Sequence, residues 1–400
     1  MKVLLVHNFY GSSAPSGENT VLEAEWALLK KNGNEIETFF RHSDQIRERG
    51  IFGDFLGAFS TPWNPFSAAS LRRKVEEFRP EVVHVHNTFP LLSPAIFWAV
   101  GHRAARVLTL HNYRLYCPAA IPMREGKICT LCLDKHSVLP ALRHGCYRGS
   151  RIATAPLALS VALHRRIGTW RRQVEAFIAL SDFQGRMMVK AGLPAERVHV
   201  KPNFFPGNPR VVPWNSRSPV VVFAGRLSAE KGVETLIRAW VDWGMKAPEL
   251  RVLGDGPLTE RLKSMAGGKA RVRFLGQVKS QIAEAEIGRA RLLVLPSECF
   301  EGFPMVIREG FALGTPVAVS NIGPLPSIVQ AGRNGVVFRA GDPVSLFETV
   351  RSIWNQPERL KALGWGARET FERYYSEEVN YKQLMAIYDA AIAVKRNAMV

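Results

Sequence analysis

Short, unbroken apolar runs recur along the chain, in place of the strict apolar–polar alternation of a half-buried sheet. The first half carries six: Val3–His7, Ile36–Phe40, Val82–His86, Val107–His111, Ala176–Leu180 and Val198–Lys201. The second half carries six more: Val220–Ala224, Leu250–Leu253, Val272–Leu275, Leu292–Leu295, Val317–Val319 and Val336–Phe338. Such runs suit parallel strands covered on both faces, since neither face meets water. Helical patterns fill many of the gaps, as in Val233, Leu236, Ile237, Trp240 and Val241, which form one apolar stripe. Strand alternating with helix, twice over, predicts two doubly wound α/β domains. The densest Pro/Gly/Asn cluster between them, Pro202–Pro209, marks the expected boundary. Ligands of open α/β sheets bind beyond the carboxyl ends of the strands, so the residues just after each run are those to read for chemistry.

Length and composition agree with this picture. A chain of 400 residues is too long for one compact core, and 46% hydrophobic with 22% charged residues is ordinary globular usage. Low-complexity tracts and short repeats are absent, which excludes solenoid and disordered classes. The apolar run at the N-terminus is too short for a signal peptide, and no stretch reaches the roughly 18 apolar residues of a membrane span. The expectation is a cytoplasmic protein whose five cysteines are not structural disulfides. The formal net charge of +18 is uneven: Lys135–Val174 contains eight Lys or Arg residues and no Asp or Glu. Such a face attracts polyanions, either nucleic acid or the anionic inner leaflet of a membrane.

The strand ends of the second half carry the chemistry. After its first strand come Gly225, Arg226, Ser228 and Lys231. Gly225 permits a tight turn, Ser228 is the expected N-cap of the next helix, and the two cations would flank a helix N-terminus, an arrangement suited to a diphosphate. Gly254-Asp255-Gly256-Pro257 is a glycine turn that lets a ligand approach the backbone, and Phe274–Val278 could present main-chain groups to a base. After Leu292–Leu295 the chain reads Pro-Ser-Glu-Cys-Phe-Glu301-Gly302-Phe303-Pro304-Met305-Val-Ile-Arg-Glu309-Gly. One carboxylate precedes a Gly-Phe-Pro turn and the other lies on the helix that starts near Pro304. Carboxylates accept strongly from vicinal hydroxyls, so one could hold a sugar and the other a ribose.

Together with Ala312–Ala318 and Gly332-Arg333-Asn334-Gly335, these residues resemble family 4 of the retaining glycosyltransferases, the glycosyl transferases group 1. The resemblance implies the GT-B fold, two Rossmann-like doubly wound domains facing a central cleft. The implied organisation is an acceptor-side domain over 1–206, a nucleotide-sugar-binding domain over 207–375, and a helix over 376–400 crossing back to the first domain. It implies that Arg226 and Lys231 bind the donor diphosphate, and that Glu301 orients the donor sugar. Gly302, Phe303 and Met305 would offer backbone contacts, Glu309 would hold the ribose, and the backbone near Val278 the base; Gly225 and Gly256 belong to the same set. In the first domain only Gly17 stands where relatives carry a glycine pair. His111 matches the histidine placed beside the donor sugar, with His86 as runner-up. The implied reaction moves a sugar from a UDP- or GDP-linked donor to a saccharide or lipid-linked saccharide acceptor. Anomeric configuration is retained and no metal is required, because Arg and Lys supply the positive charge. The rivals are an epimerase or hydrolase of the same fold, or a non-catalytic nucleotide-sugar or nucleic-acid binder. No aromatic-basic RNA motif or recognition helix is present, so no nucleic-acid partner is expected.

Two further features lie outside that donor set. Cys129 and Cys132 have zinc-knuckle spacing, and Cys117 and Cys146 flank them within an insertion over 113–150, so the four could clamp one structural zinc. Leu159, Leu163, Ile167, Trp170, Val174 and Phe177 recur at helical spacing beside Arg165, Arg166, Arg171 and Arg172. That stripe is either a buried core face or an interfacial helix, peripheral on an anionic membrane surface.

Overall fold

A computed structural model describes residues 1–11, 16–44, 48 and 50–397, and for residues 51, 52 and 54–56 their backbone alone. The chain divides into two compact units. The first comprises Met1–Pro122, Thr130–Pro202 and the chain from Asn380 on; the second comprises Asn203–Val379 with Met123–Cys129.

Unit one is built on a six-stranded parallel sheet. Its strands are β1 (Lys2–Phe9), β2 (Glu35–His42), β3 (Val82–Asn87), β4 (Ala105–Leu110), β5 (Ala176–Ala179) and β6 (Val198–Val200), in the order β2-β1-β3-β4-β5-β6. Helix α1 (Gly17–Lys31) packs Leu22 and Leu29 onto Val3, Leu5, Val82 and Val107, and the C-terminal helix α5 (Glu377–Asn397) adds Leu384, Tyr388 and Ala391 to the same core. The remaining helices used below are α2 (Arg151–Arg166), α3 (Val233–Trp243) and α4 (Met305–Ala312).

Unit two repeats the architecture with β7 (Val220–Ala224), β8 (Glu249–Leu253), β9 (Val272–Gly276), β10 (Leu292–Leu295), β11 (Val317–Ser320) and β12 (Gly335–Phe338), ordered β9-β8-β7-β10-β11-β12. The stripe of α3 is buried as its spacing predicts, with Val233, Leu236, Ile237 and Trp240 at the core. In both sheets the first strand to form in sequence lies inside, with the chain winding one way and then the other. That reversal opens a crevice at the strand ends, between β1 and β3 in unit one and between β7 and β10 in unit two.

Two local expectations are corrected. Ser228 does not cap α3: its hydroxyl donates to Glu230 Oε1 at 2.6 Å and opens a 3-10 turn over Ala229–Lys231, while Gly232 stands at the N-cap of α3. The apolar stripe beginning at Leu159 is not one helical face either. Helix α2 ends at Arg166, Gly168 turns the chain with φ +72°, and Val174 and Phe177 are wholly buried residues at and in β5. Spacing alone could not reveal that break, because the turn falls between two apolar positions that keep the helical count.

Candidate functional site

In unit two the crevice brings residues from three strand ends together. Gly225 donates its backbone N–H to Leu253 O at 3.0 Å and Leu227 donates to Asp255 O at 3.0 Å, so the turns after β7 and β8 run side by side. A Cβ on Gly254 would lie 1.9 Å from Gly225 O, and one on Gly256 2.5 Å from Leu227 O; larger residues would push the two turns apart. Gly256 also lines a cleft of about 490 Å³ with Gly254, Pro257, Phe274, Leu275 and Gly276, a volume in the range of small-ligand sites. Val278 follows β9, half-buried, just beyond that lining.

The turns after β7 and β10 meet more closely. Glu298 donates its backbone N–H to Glu230 O at 2.9 Å, and Lys231 Nζ lies 2.6 Å from Glu301 Oε1. Ser297, buried and absent from the sequence-based candidates, donates its hydroxyl to the same Glu301 oxygen at 2.7 Å. Burial works against the Lys231 ammonium, but Glu301 beside it holds its pKa above the usual value, so it stays charged. Cys299, two residues before Glu301, has its thiol pushed up by burial, an inert neutral group and not a nucleophile. Arg226 is exposed on the same turn as Lys231, and Gly302 and Met305 flank buried Phe303 and Pro304 at the start of α4. Lys231 and Glu301 thus touch directly, whereas Arg226 and Glu309 reach the region by their places on the β7 turn and on α4.

Glu309 lies half-buried on α4 next to the buried Arg308. Burial raises its carboxyl above the ordinary range, with Arg308 opposing. The folded chain therefore holds this proton over a pH window in which the unfolded chain has lost it, and stability falls as pH rises through that window. Glu309→Gln removes the slope. The variant is expected to melt higher than wild type at pH 8, with the advantage shrinking as pH drops into the ordinary carboxylate range. Its affinity for a nucleotide sugar should fall about tenfold or more, the value of a hydrogen bond to a charged group. Calorimetry across pH, with and without donor, checks both directions.

The crevice of unit one is dominated by imidazoles. His7 lies two residues before the end of β1, His84 and His86 lie two apart on one face of β3, and His111 follows β4. His86 Nδ1 lies 3.0 Å from His111 Nε2, and both rings line a cavity with Thr61, Asn87, Leu157 and Trp170. Burial and the neighbouring His86 hold His111 well below the ordinary histidine range, so the ring is neutral at physiological pH. Gly17, exposed, opens α1 behind Ser16, whose hydroxyl accepts from Asn19 N at 3.5 Å. The next residue, Glu18, accepts from Asn112 Nδ2 at 2.8 Å, which ties the helix start to the residue after His111.

Below the rings lies a group that the sequence reading missed. Glu25 of α1, 1% exposed, is flanked by His84 and His86, while Lys201 at the end of β6 reaches its other oxygen at 2.9 Å. The signal was there: Glu25 stands within the apolar stripe Val21, Leu22, Leu28 and Leu29, where a carboxylate must be paired. Among the described residues, Glu25, His84 and His86 are the one cluster with three potential metal ligands within 4.8 Å of one another. Cys117, Cys132 and Cys146 form no such cluster within unit one, and Cys129 belongs to unit two.

Two family models match the chain in succession: Glycosyltransferase Family 4 over residues 17–206 and Glycosyl transferases group 1 over residues 205–370. The D-inositol 3-phosphate glycosyltransferase 1 of Catenulispora acidiphila is 29% identical over 84% of this chain and 78% of its own length. The alpha-D-kanosaminyltransferase of Streptomyces kanamyceticus is 26% identical over 54% of this chain and 61% of its own. Of other curated relatives the chain spans as little as 22% of the length. The crystal structure of Anabaena HepE in complex with UDP shares the fold with a TM-score of 0.64 at 18% identity, covering 98% of this chain and all of that one (100%). Two Rossmann-like units, each with its crevice at the sheet reversal, and the two models matched in order over both place this chain in the family 4 glycosyltransferases of the GT-B fold.

Proposed function

We propose that the protein transfers a sugar, with retention of anomeric configuration and without a metal, from a UDP- or GDP-linked donor to a saccharide or lipid-linked saccharide acceptor. The observation that carries this reading is the Lys231–Glu301 pair at the sheet reversal of unit two, 2.6 Å apart, with Arg226 exposed on the turn that carries Lys231. In the proposed reaction the donor diphosphate lies against Arg226, Lys231 and the first N–H groups of α4, while Glu301 accepts from sugar hydroxyls. Glu309 holds the ribose, the cleft lined by Gly256 and Phe274–Gly276 takes the base, and His111 is the catalytic histidine that the family resemblance assigns to the sugar. As the bond from the anomeric carbon to the leaving oxygen breaks, negative charge grows on the phosphate, where fixed cations stabilise it most. The acceptor hydroxyl attacks from the same face and passes its proton to the departing phosphate.

Thermal-shift measurements against a panel of UDP- and GDP-sugars test the donor, and NMR of the product tests the stereochemistry. At least one donor should raise the melting temperature and the product should retain its configuration. An inverted product defeats the proposed mechanism, and donor turnover in the absence of any acceptor favours an epimerase or hydrolase instead. One relative's name, an inositol 3-phosphate glycosyltransferase, supports a hydroxyl-bearing acceptor, and another, a kanosaminyltransferase, supports transfer of a sugar.

The acceptor side is proposed to work on an anionic membrane surface. No described helix is long and apolar enough to cross a membrane, but α2 exposes Ile152 at 86% and Leu159 at 58% on one side of a segment rich in Arg. Placing two such side chains in lipid contributes about 1.5–3 kcal/mol each. Co-sedimentation with vesicles containing anionic lipid should therefore drop at least tenfold in an Ile152→Glu, Leu159→Glu variant; binding indifferent to anionic lipid content rejects the membrane. Metal analysis of protein purified under reducing conditions tests the zinc reading of Cys117, Cys129, Cys132 and Cys146, one equivalent per chain being the supporting result.

A further inference from the structure

Behind His111 the first unit carries a connected set of buried polar side chains that the donor chemistry above does not use. Lys201 Nζ contacts Glu25 Oε2 at 2.9 Å and Asn380 Oδ1 at 3.0 Å. Glu25 Oε1 lies 3.1 Å from His84 Nδ1 and 3.3 Å from His86 Nε2. His84 is held at both ends, by Tyr388 Oη on Nδ1 at 2.8 Å and by Thr109 Oγ1 on Nε2 at 2.8 Å. His86 Nδ1 then reaches His111 Nε2 at 3.0 Å. Glu25, His84 and Lys201 are at most 2% exposed, whereas His111 is half-buried against its cavity.

The charges fix the protons. Burial would raise the Glu25 carboxyl, but Lys201 and His84 hold it well below the ordinary range, so it is a carboxylate and can only accept. Burial and His84 push the His86 pKa down to about 4, so His86 is neutral and carries one ring proton. Glu25 Oε1 and His86 Nε2 are both buried, neither has a well-aligned hydrogen-bond partner, and they lie 3.3 Å apart. A lone pair on Nε2 would point at the carboxylate, so the proton belongs on Nε2. Nδ1 of His86 is then an acceptor, His111 must donate from its Nε2, and the lone pair of His111 is left on Nδ1. Glu25, His84 and His86 could also be read as metal ligands, but the Lys201 ammonium already neutralises the carboxylate and would repel a cation placed beside it.

We infer that Glu25 and His86 are positioning residues for His111: they lock its tautomer and ring orientation so that Nδ1 accepts a hydrogen bond from a hydroxyl of the bound sugar or acceptor. This rests on His111 standing at the donor sugar, as proposed above. The groups facing the chain from the packed elements are His7 of β1, His84 of β3, Lys201 after β6 and Tyr388 of α5.

Nitrogen-15 NMR of the ring nitrogens in histidine-labelled full-length protein, between pH 6 and 8, reads the tautomers without any substrate. His86 and His111 should both be neutral with the proton on Nε2. In His86→Leu, His111 should become a mixture of tautomers, with kcat reduced about tenfold or more and the KM for donor little changed. His86→Gln, whose amide can donate toward Glu25 and accept from His111, should restore a single tautomer and most of kcat. A proton on Nδ1 of His111 in the wild-type protein, or an unchanged tautomer in folded His86→Leu, overturns the inference. If His86→Leu fails to fold, the wild-type and His86→Gln spectra still decide it. A chain that transfers no sugar yet shows the expected tautomers would sink the functional reading while leaving the proton network standing.

Discussion

Lys231→Ala is expected to lower sugar transfer by roughly a hundredfold or more, about 3 kcal/mol of transition-state stabilisation, while the protein stays folded. Lys231 stands on the turn after β7, tied to Glu301 across the crevice at 2.6 Å and only 25% exposed at the side chain. In such a partly dehydrated place one charge near a departing phosphate is worth far more than in water. The loss should fall mainly on kcat, because the phosphate gains its negative charge as the bond breaks. Some weakening of donor binding follows from a second effect: Glu301 keeps Ser297 but loses its cation, so its grip on the sugar loosens. Arg226→Ala removes an exposed charge from the same turn and should also cost about a hundredfold in turnover, since the proposed donor buries it. Steady-state and single-turnover kinetics check both; a folded Lys231→Ala protein within threefold of wild-type turnover would remove the leaving-group role.

Gly232→Ala should be among the most damaging single methyls in unit two. Gly232 has φ +63°, and a Cβ there would lie 1.9 Å from Pro296 O and 2.9 Å from its carbonyl carbon. Both atoms are backbone, so no side chain can swing aside. The left-handed conformation costs about 1–2 kcal/mol and the overlap about 1–3 more, for a total on the order of 3 kcal/mol. At about 2–4 °C per kcal/mol for a unit of this size, the melting transition of unit two should fall by roughly 6–12 °C. The strain also acts on the site, since relieving it moves the β7 turn away from the β10 turn and Lys231 away from Glu301. Gly207→Ala provides the contrast: φ is +74° but nothing lies within 4 Å, so only the conformational cost remains. Differential scanning calorimetry of the two variants separates overlap from backbone conformation; equal losses would show that the turns after β7 and β10 are not packed as described.

Much of the architecture was readable before any coordinates because it rests on local rules. All twelve apolar runs are strands of the two sheets; the inner strands, buried on both faces, have little choice but to be apolar throughout, whereas the edge strands β2, β6 and β9 are only partly buried. Glu301 before a Gly-Phe-Pro turn, and Glu309 on a helix that starts at Met305, were legible for the same reason: glycine and proline punctuate the chain where they stand. The misreadings are equally physical. Ser228 has the right chemistry for a helix cap, but Gly232 adopts the left-handed turn that sets where α3 begins, and the hydroxyl serves Glu230 instead. The stripe from Leu159 to Phe177 keeps a helical count across a turn at Gly168, so a helix, a turn and a strand mimic one face.

The sequence by itself determined the order of strands and helices, the two-unit plan and the residue types at each strand end, all of which depend on neighbours within a few positions. Only the tertiary structure decided which of those ends face each other. The sheet reversal sets Lys231 against Glu301, 70 positions on, and places Glu25 among His84, His86 and Lys201, the last 176 positions away. Such pairings carry no periodic trace in a chain, because charge and hydrogen bonding act through space, and what lies close in space is settled by how buried strands order themselves in a sheet.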